Sequence, residues 1–301
     1  MLRQEEIAII GAGPAGAAAA VQLRRMGRDP LVFEKGRPGG LLRSANLVEN
    51  YPGFPDGIAG RDLAELIGRH MERFSVRLIN EEVVGMDYSG GRFVLEHHSG
   101  VCTAHRVILS AGTVPRDDHG IAVSGRAADL VFHSPESIRE GTDTVIIGAG
   151  DAAFDYALNL APRNRVLILG RSDKPRALKV LVERAEENES IEYFSNAGVS
   201  DIEAEDGELV LRLKDPCGLK FPEPFDTGAG NKVRADNVLF ATGRRPATGF
   251  LSAQLLEMGR RLENEGKLFF AGDIRGGLCR QAAVAAGDGL RAAMKTGKGG
   301  R

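Results

Sequence analysis

The stretch IAIIGAGPAGAAAA, residues 7–20, decides the fold of the first part of the chain. Its apolar start predicts a β-strand over Ile7–Ile10, its glycines predict a tight turn, and its alanines predict a helix over Ala17–Arg25. A second strand, PLVFE, follows the helix and ends at Glu34. The order strand, glycine turn, helix and strand is a βαβ unit of the kind that binds dinucleotides.

The turn of this first fingerprint carries Gly11, Gly13 and Gly16 in a GxGxxG pattern. The first glycine permits the tight turn, the second lets a pyrophosphate approach the backbone, and the third lets helix and strand pack closely. The carboxylate of Glu34 can accept hydrogen bonds from both ribose hydroxyls and would repel a 2'-phosphate. The first fingerprint therefore predicts a site for FAD or NAD, not for NADP.

A second fingerprint, TVIIGAGDAAFD at residues 144–155, repeats the pattern as GxGxxA with Gly148, Gly150 and Ala153. Its helix N-terminus is again expected to face phosphates with amide donors and the helix dipole. The next strand, RVLIL, ends in the basic stretch GRSDKPR, residues 170–176, where an acid would have favoured NAD.

The basic stretch can meet a 2'-phosphate by charge and by hydrogen bonding. The residues expected to do so are Arg171, Ser172, Lys174 and Arg176. The pattern therefore predicts NADPH in preference to NADH. The alternative interpretation is a solvated basic turn on a degenerate domain that binds no nucleotide.

The order of elements around the two fingerprints indicates an internal duplication. RVILSAG, residues 106–112, closes the first copy, and NVLFATG, residues 237–243, closes the second. A further strand, LFFAGD, and an alanine-rich helix from Arg280 onward follow, and we assign both to the first domain. Asp273 at the end of that strand can bind a ribityl hydroxyl, and the helix N-terminus can stabilise negative charge on a reduced flavin, which favours FAD over NAD.

The sequence therefore predicts an α/β fold of two Rossmann-like nucleotide-binding domains. An FAD-binding domain at residues 1–115 and 245–301 is split by an inserted NAD(P)H-binding domain at residues 116–244. The chain crosses between the two domains twice, and we expect a hinge near Thr113–Arg116 and Gly243–Pro246.

Composition sets the remaining limits on function. The 301 residues include 39 Lys and Arg against 41 Asp and Glu, and the net charge of -2 predicts no nucleic-acid or membrane binding. No apolar run approaches the ~18 residues of a membrane span, and the N-terminus runs directly into the first fingerprint without room for a signal peptide. Cys102, Cys217 and Cys279 are too far apart for a CxxC pair or a metal site, which predicts a reducing cytoplasm and no bound metal.

Several longer motifs stand in the order and spacing of the low-molecular-weight thioredoxin reductases, which the chain resembles over nearly its whole length. They are IIGAGPAGAAAA, GG at Gly39 and Gly40, VENYPGFPDGIAG, VLFATGRRP and FFAGDIRGGLCRQAAVAAGDG. The resemblance implies FAD and NADPH as cofactors and a homodimer. Carried over by motif, it implies FAD contacts from Gly11, Gly13, Gly16, Glu34, Gly40, Asn50, Gly112, Asp273, Arg280, Gln281 and Ala282.

One departure from that family concerns the reaction itself. Thioredoxin reductases carry CxxC just before the second fingerprint, whereas this chain has LVFHSPESIREG, residues 130–141, and no cysteine between Cys102 and Cys217. Disulfide exchange needs an attacking thiolate and a resolving thiol. The stretch GDAAFDYAL, residues 150–158, resembles the thioredoxin-reductase-like ferredoxin-NADP reductases instead, although RQAAVAAGDG near the C-terminus is closer to thioredoxin reductases.

Three interpretations of function follow. The first is hydride transfer from NADPH to flavin N5 and onward to a one-electron carrier such as ferredoxin or flavodoxin. The second is a disulfide reductase with a thioredoxin-like partner that uses another thiol or a ferredoxin donor. The third is a non-catalytic flavoprotein that senses redox state.

The candidate catalytic residues are Phe132, His133 and Cys279. Phe132 and His133 stand about where the family has its dithiol, and we expect them to cover the flavin. For His133 we expect packing or capping rather than proton delivery. For Cys279 we expect a small buried residue rather than a thiolate activated by a helix N-terminus. Cys102 and Cys217 receive no role.

Overall fold

A computed structural model describes residues 3–117, 119–205, 207–214 and 219–297. These residues form two compact units. Unit 1 comprises the described residues of Met1–Arg43, Val48–Val114 and Arg245–Arg301, and unit 2 comprises those of Ser44–Leu47 and Pro115–Arg244. Asp206 in the predicted turn, Cys217 and the last four residues lie outside the described residues.

The elements follow one another in three stretches. The first stretch contains β1 (Arg3–Ile10), α1 (Pro14–Arg25), β2 (Leu31–Phe33), β3 (Leu47–Val48), β4 (Ile58–Ala59), α2 (Gly60–Arg73), β5 (Arg77–Ile79), β6 (Val83–Ser89), β7 (Arg92–His97), β8 (Gly100–Leu109) and β9 (Thr113–Pro115). The second contains β10 (Ala122–Val123), β11 (Val131–Phe132), β12 (Asp143–Ile147), α3 (Asp151–Leu160), β13 (Arg165–Leu169), α4 (Lys179–Glu186), β14 (Ile191–Phe194), β15 (Val199–Glu205), β16 (Glu208–Leu213), β17 (Lys232–Ala235) and β18 (Asn237–Phe240). The third contains β19 (Arg244–Pro246), α5 (Ala253–Asn264), β20 (Leu268–Phe270) and α6 (Ala282–Gly297).

Unit 1 is built on a seven-stranded sheet of order β5-β2-β1-β8-β7-β6, with β20 also paired to β8. Strand β8 pairs parallel with β1, and it has two further partners, because residues 100–104 pair antiparallel with β7 and Val107–Leu109 pair parallel with β20. Helix α6 packs on α1 with backbones in close contact, since a Cβ on Gly289 would lie 1.9 Å from the carbonyl oxygen of Ala15. The alanines of α1 are therefore the surface that lets a second helix approach.

Unit 2 has a parallel sheet of order β11-β18-β12-β13-β14 and a separate four-stranded sheet of order β10-β15-β16-β17. Apolar side chains of β12, β13 and β18 form the core, and Val145, Leu167 and Val238 are fully buried. The two units confirm the predicted α/β fold of two Rossmann-like domains. No helix among the described residues is long and apolar enough to cross a membrane.

The segment Ser44–Leu47 belongs to unit 2, whereas the sequence assigned all of residues 1–115 to the first domain. Side chains on α3 explain the difference. Asp155 Oδ2 accepts a hydrogen bond of 3.0 Å from Asn46 N. Asn159 Nδ2 donates one of 3.1 Å to the Ser44 carbonyl. The prediction of two chain crossings was therefore incomplete.

Candidate functional site

The first glycine turn leaves no space for side chains at two of its glycines. Gly11 has φ +94, and a Cβ there would lie 2.5 Å from the carbonyl oxygen of Ser110. A Cβ on Gly16 would lie 1.8 Å from the Gly11 carbonyl oxygen. Gly11 N also donates to the Phe33 carbonyl oxygen at 2.8 Å, which ties the turn to β2. The backbone of β1, β2, β8 and α1 thus converges on one cradle.

Glu34 is bound to this cradle through both carboxylate oxygens. Its Oε2 accepts from Ala12 N at 2.7 Å, and its Oε1 accepts from Gly36 N at 2.9 Å. Helix α1 begins directly after Gly13 and has no acidic residue in its first turn. A cradle with an open helix N-terminus and a fixed carboxylate at the ribose end can take a dinucleotide that has no 2'-phosphate.

The remaining predicted FAD residues also lie in unit 1. A Cβ on Gly40 would lie 3.3 Å from Gly13 Cα, so this loop borders the cradle. Asn50 Nδ2 donates to Gln281 Oε1 at 2.9 Å, which joins two positions far apart in sequence. Ala282 is the first residue of α6, so this helix begins two residues later than the sequence predicted at Arg280. Gly112 comes directly before β9 and accepts at its carbonyl from Ala247 N at 3.0 Å.

Asp273 lies in a 3-10 turn over Gly272–Arg275 that follows β20. Asp288 on α6 supports this turn from behind, since its Oδ2 accepts from Gly272 N at 3.3 Å. Arg275 and Arg291 both pair with the same carboxylate. Sequence reasoning missed Asp288, although it stands in the quoted RQAAVAAGDG.

The expectation that Cys279 is buried was wrong, because its side chain is exposed. Cys279 lies after the 3-10 turn and before α6, and its neighbour Leu278 is 100% exposed. The backbone here runs outside the elements that form the core, so a small side chain has nothing to pack against. Cys102, by contrast, is buried within β8.

The second glycine turn, in unit 2, repeats the geometry of the first. Gly148 has φ +146, and a Cβ there would lie 2.5 Å from the carbonyl oxygen of Ala241. Gly148 N donates to the Leu169 carbonyl oxygen at 3.0 Å. Gly150 caps α3, and Ala153 is fully buried behind the turn.

A cleft of about 760 Å³ opens above this turn, entirely within unit 2. The predicted residues that line it are Gly148, Gly150, Arg171, Ser172, Lys174 and Arg176. The lining also includes residues that sequence reasoning missed as site residues, namely Arg116, His119, Tyr156, Lys214, Phe240 and Arg244. Of these, Tyr156 stood in the quoted GDAAFDYAL, and Phe240 and Arg244 stood in VLFATGRRP.

The charge of the cleft is strongly positive. Its lining contains six Lys or Arg side chains and a single carboxylate among the described residues, that of Asp151. Asp151 Oδ1 accepts from Leu178 N at 2.8 Å, so it is engaged with the backbone before α4. A cleft of this charge at a helix N-terminus can bind a multiply charged phosphate ligand.

In unit 2 the position that corresponds to Glu34 of unit 1 is occupied by Gly170. Glu34 N donates to the Ile79 carbonyl oxygen at 3.0 Å, and Gly170 N donates to that of Phe194 at 2.8 Å, so each residue leaves its strand in the same way. A Cβ on Gly170 would lie 2.7 Å from the Tyr193 hydroxyl oxygen. Tyr193 therefore fills the space that an acidic side chain occupies in unit 1.

His133 lies at the end of β11 and lines the cleft, whereas Phe132 packs into the apolar layer around α3. The ring of His133 stacks on Phe240 at 5.7 Å between centroids, and His119 stacks on the same ring at 4.2 Å. Burial lowers the pKa of His133, and the charges of Arg244 and His119 lower it further. The side chain of His133 therefore borders the cleft, whereas that of its neighbour Phe132 packs in the apolar core.

Two dinucleotide cradles on one chain define a class of oxidoreductase in which one nucleotide reduces the other. The comparisons with known proteins agree with this class. Residues 5–289 match the model of the pyridine nucleotide-disulphide oxidoreductase family. The chain belongs to this family.

Individual relatives are thioredoxin reductases. The chain is 31% identical over 309 residues to thioredoxin reductase of Chlamydia trachomatis serovar D, covering 96% of each chain. It is 33% identical over 313 residues to thioredoxin reductase of Streptomyces clavuligerus, covering 96% of this chain and 91% of that one. The crystal structure of T. acidophilum thioredoxin reductase superposes with a TM-score of 0.78 at 26% identity, covering 98% of each chain. The protein is therefore an FAD-dependent NAD(P)H oxidoreductase of the thioredoxin reductase-like kind, with FAD and NADPH as cofactors.

Proposed function

We propose that this protein carries electrons from NADPH through FAD to a one-electron carrier such as ferredoxin or flavodoxin. The observation that supports the proposal most directly is the stretch LVFHSPESIREG, in which the place of the family's dithiol is taken by apolar and polar residues without sulfur. No cysteine stands anywhere between Cys102 and Cys217. Without a thiol pair at this position, exchange with a disulfide substrate has neither its attacking nor its resolving group there.

In this proposal unit 1 holds FAD and unit 2 holds NADPH. Gly13 lets the pyrophosphate of FAD approach the backbone of the turn that Gly11 and Gly16 form, and Glu34 accepts hydrogen bonds from its ribose hydroxyls. When both groups are bound, NADPH supplies a hydride to the flavin, and the reduced flavin can release its electrons singly. The chain's own task is to orient the two ring systems and to exclude water from them.

We base the preference for NADPH over NADH on the residues that follow the second strand of each βαβ unit. Unit 1 has the carboxylate of Glu34 after its second strand, and unit 2 has Arg171, Lys174 and Arg176 in the corresponding turn. A guanidinium pair binds a phosphate by charge and by directed hydrogen bonds, and a carboxylate repels it.

The second candidate function is disulfide reduction through Cys279. It is favoured by the exposure of that thiol and by the names of the relatives. A single exposed thiol can form a mixed disulfide with a substrate, but this chain offers no second cysteine in the same stretch to resolve it. A homodimer and a cytoplasmic location stay predictions.

The test begins with anaerobic mixing of the purified holoprotein with NADPH or NADH while the visible flavin absorbance is followed. We expect rapid bleaching by NADPH and slower bleaching by NADH. The reduced protein is then mixed with oxidised ferredoxin, oxidised flavodoxin or oxidised thioredoxin, and reoxidation of the flavin is timed.

We expect fast reoxidation by a one-electron carrier and the same rates in the Cys279→Ser variant. Fast reoxidation by thioredoxin that is lost in Cys279→Ser would replace the proposal with the second candidate. A flavin that neither nucleotide reduces would contradict both and would favour the sensor interpretation.

A further inference from the structure

A short segment of unit 2 after β14 lines the cleft beside the turn with the basic residues. It consists of residues 196–198, and we call it the β14 segment. The sheet order β12-β13-β14 places it on the side of β13 that faces away from the glycine turn after β12. In a fold of this kind the pyrophosphate lies at the glycine turn and the adenosine ribose lies by the end of the second strand. The β14 segment therefore lies on the adenosine side of the cleft.

Backbone hydrogen bonds join the β14 segment to two other parts of unit 2. Ala197 N donates to the Gly170 carbonyl oxygen at 2.8 Å, which ties the segment to the start of the basic turn. Lys214 N donates to the Gly198 carbonyl oxygen at 2.7 Å. Lys214 directly follows β16, a strand of the separate four-stranded sheet. The β14 segment thus holds a residue of the second sheet beside the basic turn of the first.

The side chains of Arg171 and Lys214 meet at Gly198. A Cβ on Gly198 would lie 3.8 Å from Arg171 Cβ and 3.9 Å from Lys214 Cδ, so both aliphatic stems lie against this glycine. Both residues line the cleft. Two cations from different sheets therefore border the same part of the cleft, next to the end of β13.

The surroundings of Lys214 differ from those of two other basic side chains on its sheet. Arg212 Nε on β16 lies 3.1 Å from Asp201 Oδ1, and Lys232 Nζ on β17 lies 3.9 Å from Glu205 Oε1. Lys214 is exposed, and no acidic side chain in the described part of the chain forms an ion pair with it. The charge of Lys214 is therefore placed toward the cleft and not toward an acid of its own sheet.

From this arrangement we infer that Lys214 is a specificity-determining residue that binds the 2'-phosphate of the nucleotide together with Arg171. The guanidinium of Arg171 supplies hydrogen bonds of fixed direction, and the ammonium of Lys214 supplies a compact charge on a flexible stem. The inference rests on the proposed NADPH site in this cleft. It adds to that site a residue that no sequence motif marks.

The test is isothermal titration of the oxidised holoprotein with NADP+ and with NAD+, neither of which can reduce the flavin. The two ligands differ only in the 2'-phosphate. In Lys214→Gln we expect the Kd of NADP+ to rise about tenfold, because a charge-assisted hydrogen bond is lost, and that of NAD+ to change by less than about twofold. Contact of Lys214 with the adenine, a ribose hydroxyl or the pyrophosphate would weaken both ligands, since both carry these groups.

Three further variants make the result specific. Lys214→Arg keeps the charge and is expected to keep the preference for NADP+. Arg171→Gln is expected to weaken NADP+ by a similar factor and to leave NAD+ unchanged, because it contacts the same phosphate. Lys220→Gln removes an equal charge from an exposed position of unit 2 outside the cleft and is expected to change neither Kd.

An unchanged Kd of NADP+ in Lys214→Gln, or an equal rise for NADP+ and NAD+, would overturn the inference and leave the NADPH site intact. If the unchanged protein binds neither nucleotide, or binds NAD+ as tightly as NADP+, the proposed NADPH site itself fails, and the inference with it. Added salt should weaken NADP+ binding less in Lys214→Gln than in the unchanged protein, because one screened charge is gone. An equal salt dependence in both proteins would contradict the inference.

Discussion

The two glycine turns share one backbone and differ in their side chains. A Cβ on Gly11 and a Cβ on Gly148 would each lie 2.5 Å from a carbonyl oxygen of the strand alongside. Ser110 N donates to the Ile10 carbonyl oxygen, and Ala241 N donates to that of Ile147, at 2.9 Å in both cases. The two copies of the βαβ unit thus keep the same hydrogen bonds, although few of their side chains agree.

The side chains around the turns separate the two units. Helix α1 has no acid in its first turn and meets α6 through small residues, whereas α3 carries Asp151 in its first turn and Asp155 one turn later. The second strand of the βαβ unit is followed by Glu34 in unit 1 and by Gly170 and Arg171 in unit 2. We therefore expect the backbone of each turn to set where a dinucleotide binds and the neighbouring charges to set which dinucleotide binds.

Exchange of the third residue of each glycine turn is expected to have the largest effect. In Gly16→Ala the new Cβ would lie 1.8 Å from the Gly11 carbonyl oxygen, so the turn must open. We expect the purified variant to have lost its flavin absorbance. Ala153→Gly in unit 2 relieves no contact and costs about 1 kcal/mol of helix stability, with flavin retained. A yellow Gly16→Ala protein would show that the third glycine is not required.

The charges of the basic turn in unit 2 are expected to set its affinity for NADPH relative to NADH. Removing the charge in Arg171→Gln and Arg176→Gln together is expected to raise KM for NADPH about 100-fold, since each lost charge-assisted contact accounts for about 1.4 kcal/mol. KM for NADH is expected to change less than threefold. Steady-state reduction of an artificial acceptor measures both. An equal loss for NADPH and NADH would mean that these arginines hold the pyrophosphate or the fold.

The two units are expected to differ in how their stability depends on pH. Asp155 in α3 can titrate, whereas the corresponding residue in α1 is the uncharged Ala18. Burial raises the pKa of Asp155 from 3.8 to about 6, against the opposing effect of the N–H groups of Asn46 and Leu47. A carboxyl whose pKa is raised by folding is stabilising when protonated, so this contribution is lost as the pH rises through about 6. We expect Asp155→Asn to increase the free energy of unfolding by about 2 kcal/mol at pH 8. Urea unfolding at pH 5 and pH 8 measures the difference, which should be smaller at pH 5.

The smallest effect is expected from His133, whose contribution to stability changes with pH in the direction opposite to that of Asp155. Its pKa is lowered from 6.5 in the folded protein, so the unfolded chain takes up a proton first as the pH falls. The native state therefore loses stability below pH 6.5. His133→Gln is expected to flatten this part of the stability profile. Comparison of urea midpoints between pH 5 and pH 7 checks it, and an unchanged slope would contradict the assignment.

Sequence reasoning located the backbone of both sites because a GxGxxG or GxGxxA pattern between a strand and a helix is a local property of the chain. Glu34, Arg171 and Arg176 could be proposed for the same reason, since each follows the strand that comes after its glycine turn. Arg116 and Lys214 were not, because they come from stretches without a motif and join the cleft only through the tertiary fold. The prediction that Cys279 is buried failed because the sequence shows only that it stands near the start of a helix. It does not show whether the backbone at that point runs along the core or away from it.

The placement of the segment Ser44–Leu47 was missed for a related reason. Its assignment to unit 2 depends on hydrogen bonds to Asp155 and Asn159, more than 100 residues further along the chain. No periodicity or composition marks a stretch of four residues as part of another domain. The long elements of each unit, in contrast, carry their own periodicity.

The late position of β20 has a consequence for the order in which the chain emerges from the ribosome. All residues of unit 2 are synthesised before Leu268–Phe270, which complete the pairing of β8, and before α6 covers α1. Domains generally fold as units during translation, the earlier ones first. Here the domain that begins the chain finishes last, so the alanine face of α1 stays uncovered while the inserted domain folds. Nascent chains that have exposed residues only up to the end of α5 and chains extended until α6 has left the ribosome should therefore differ in their need for a chaperone.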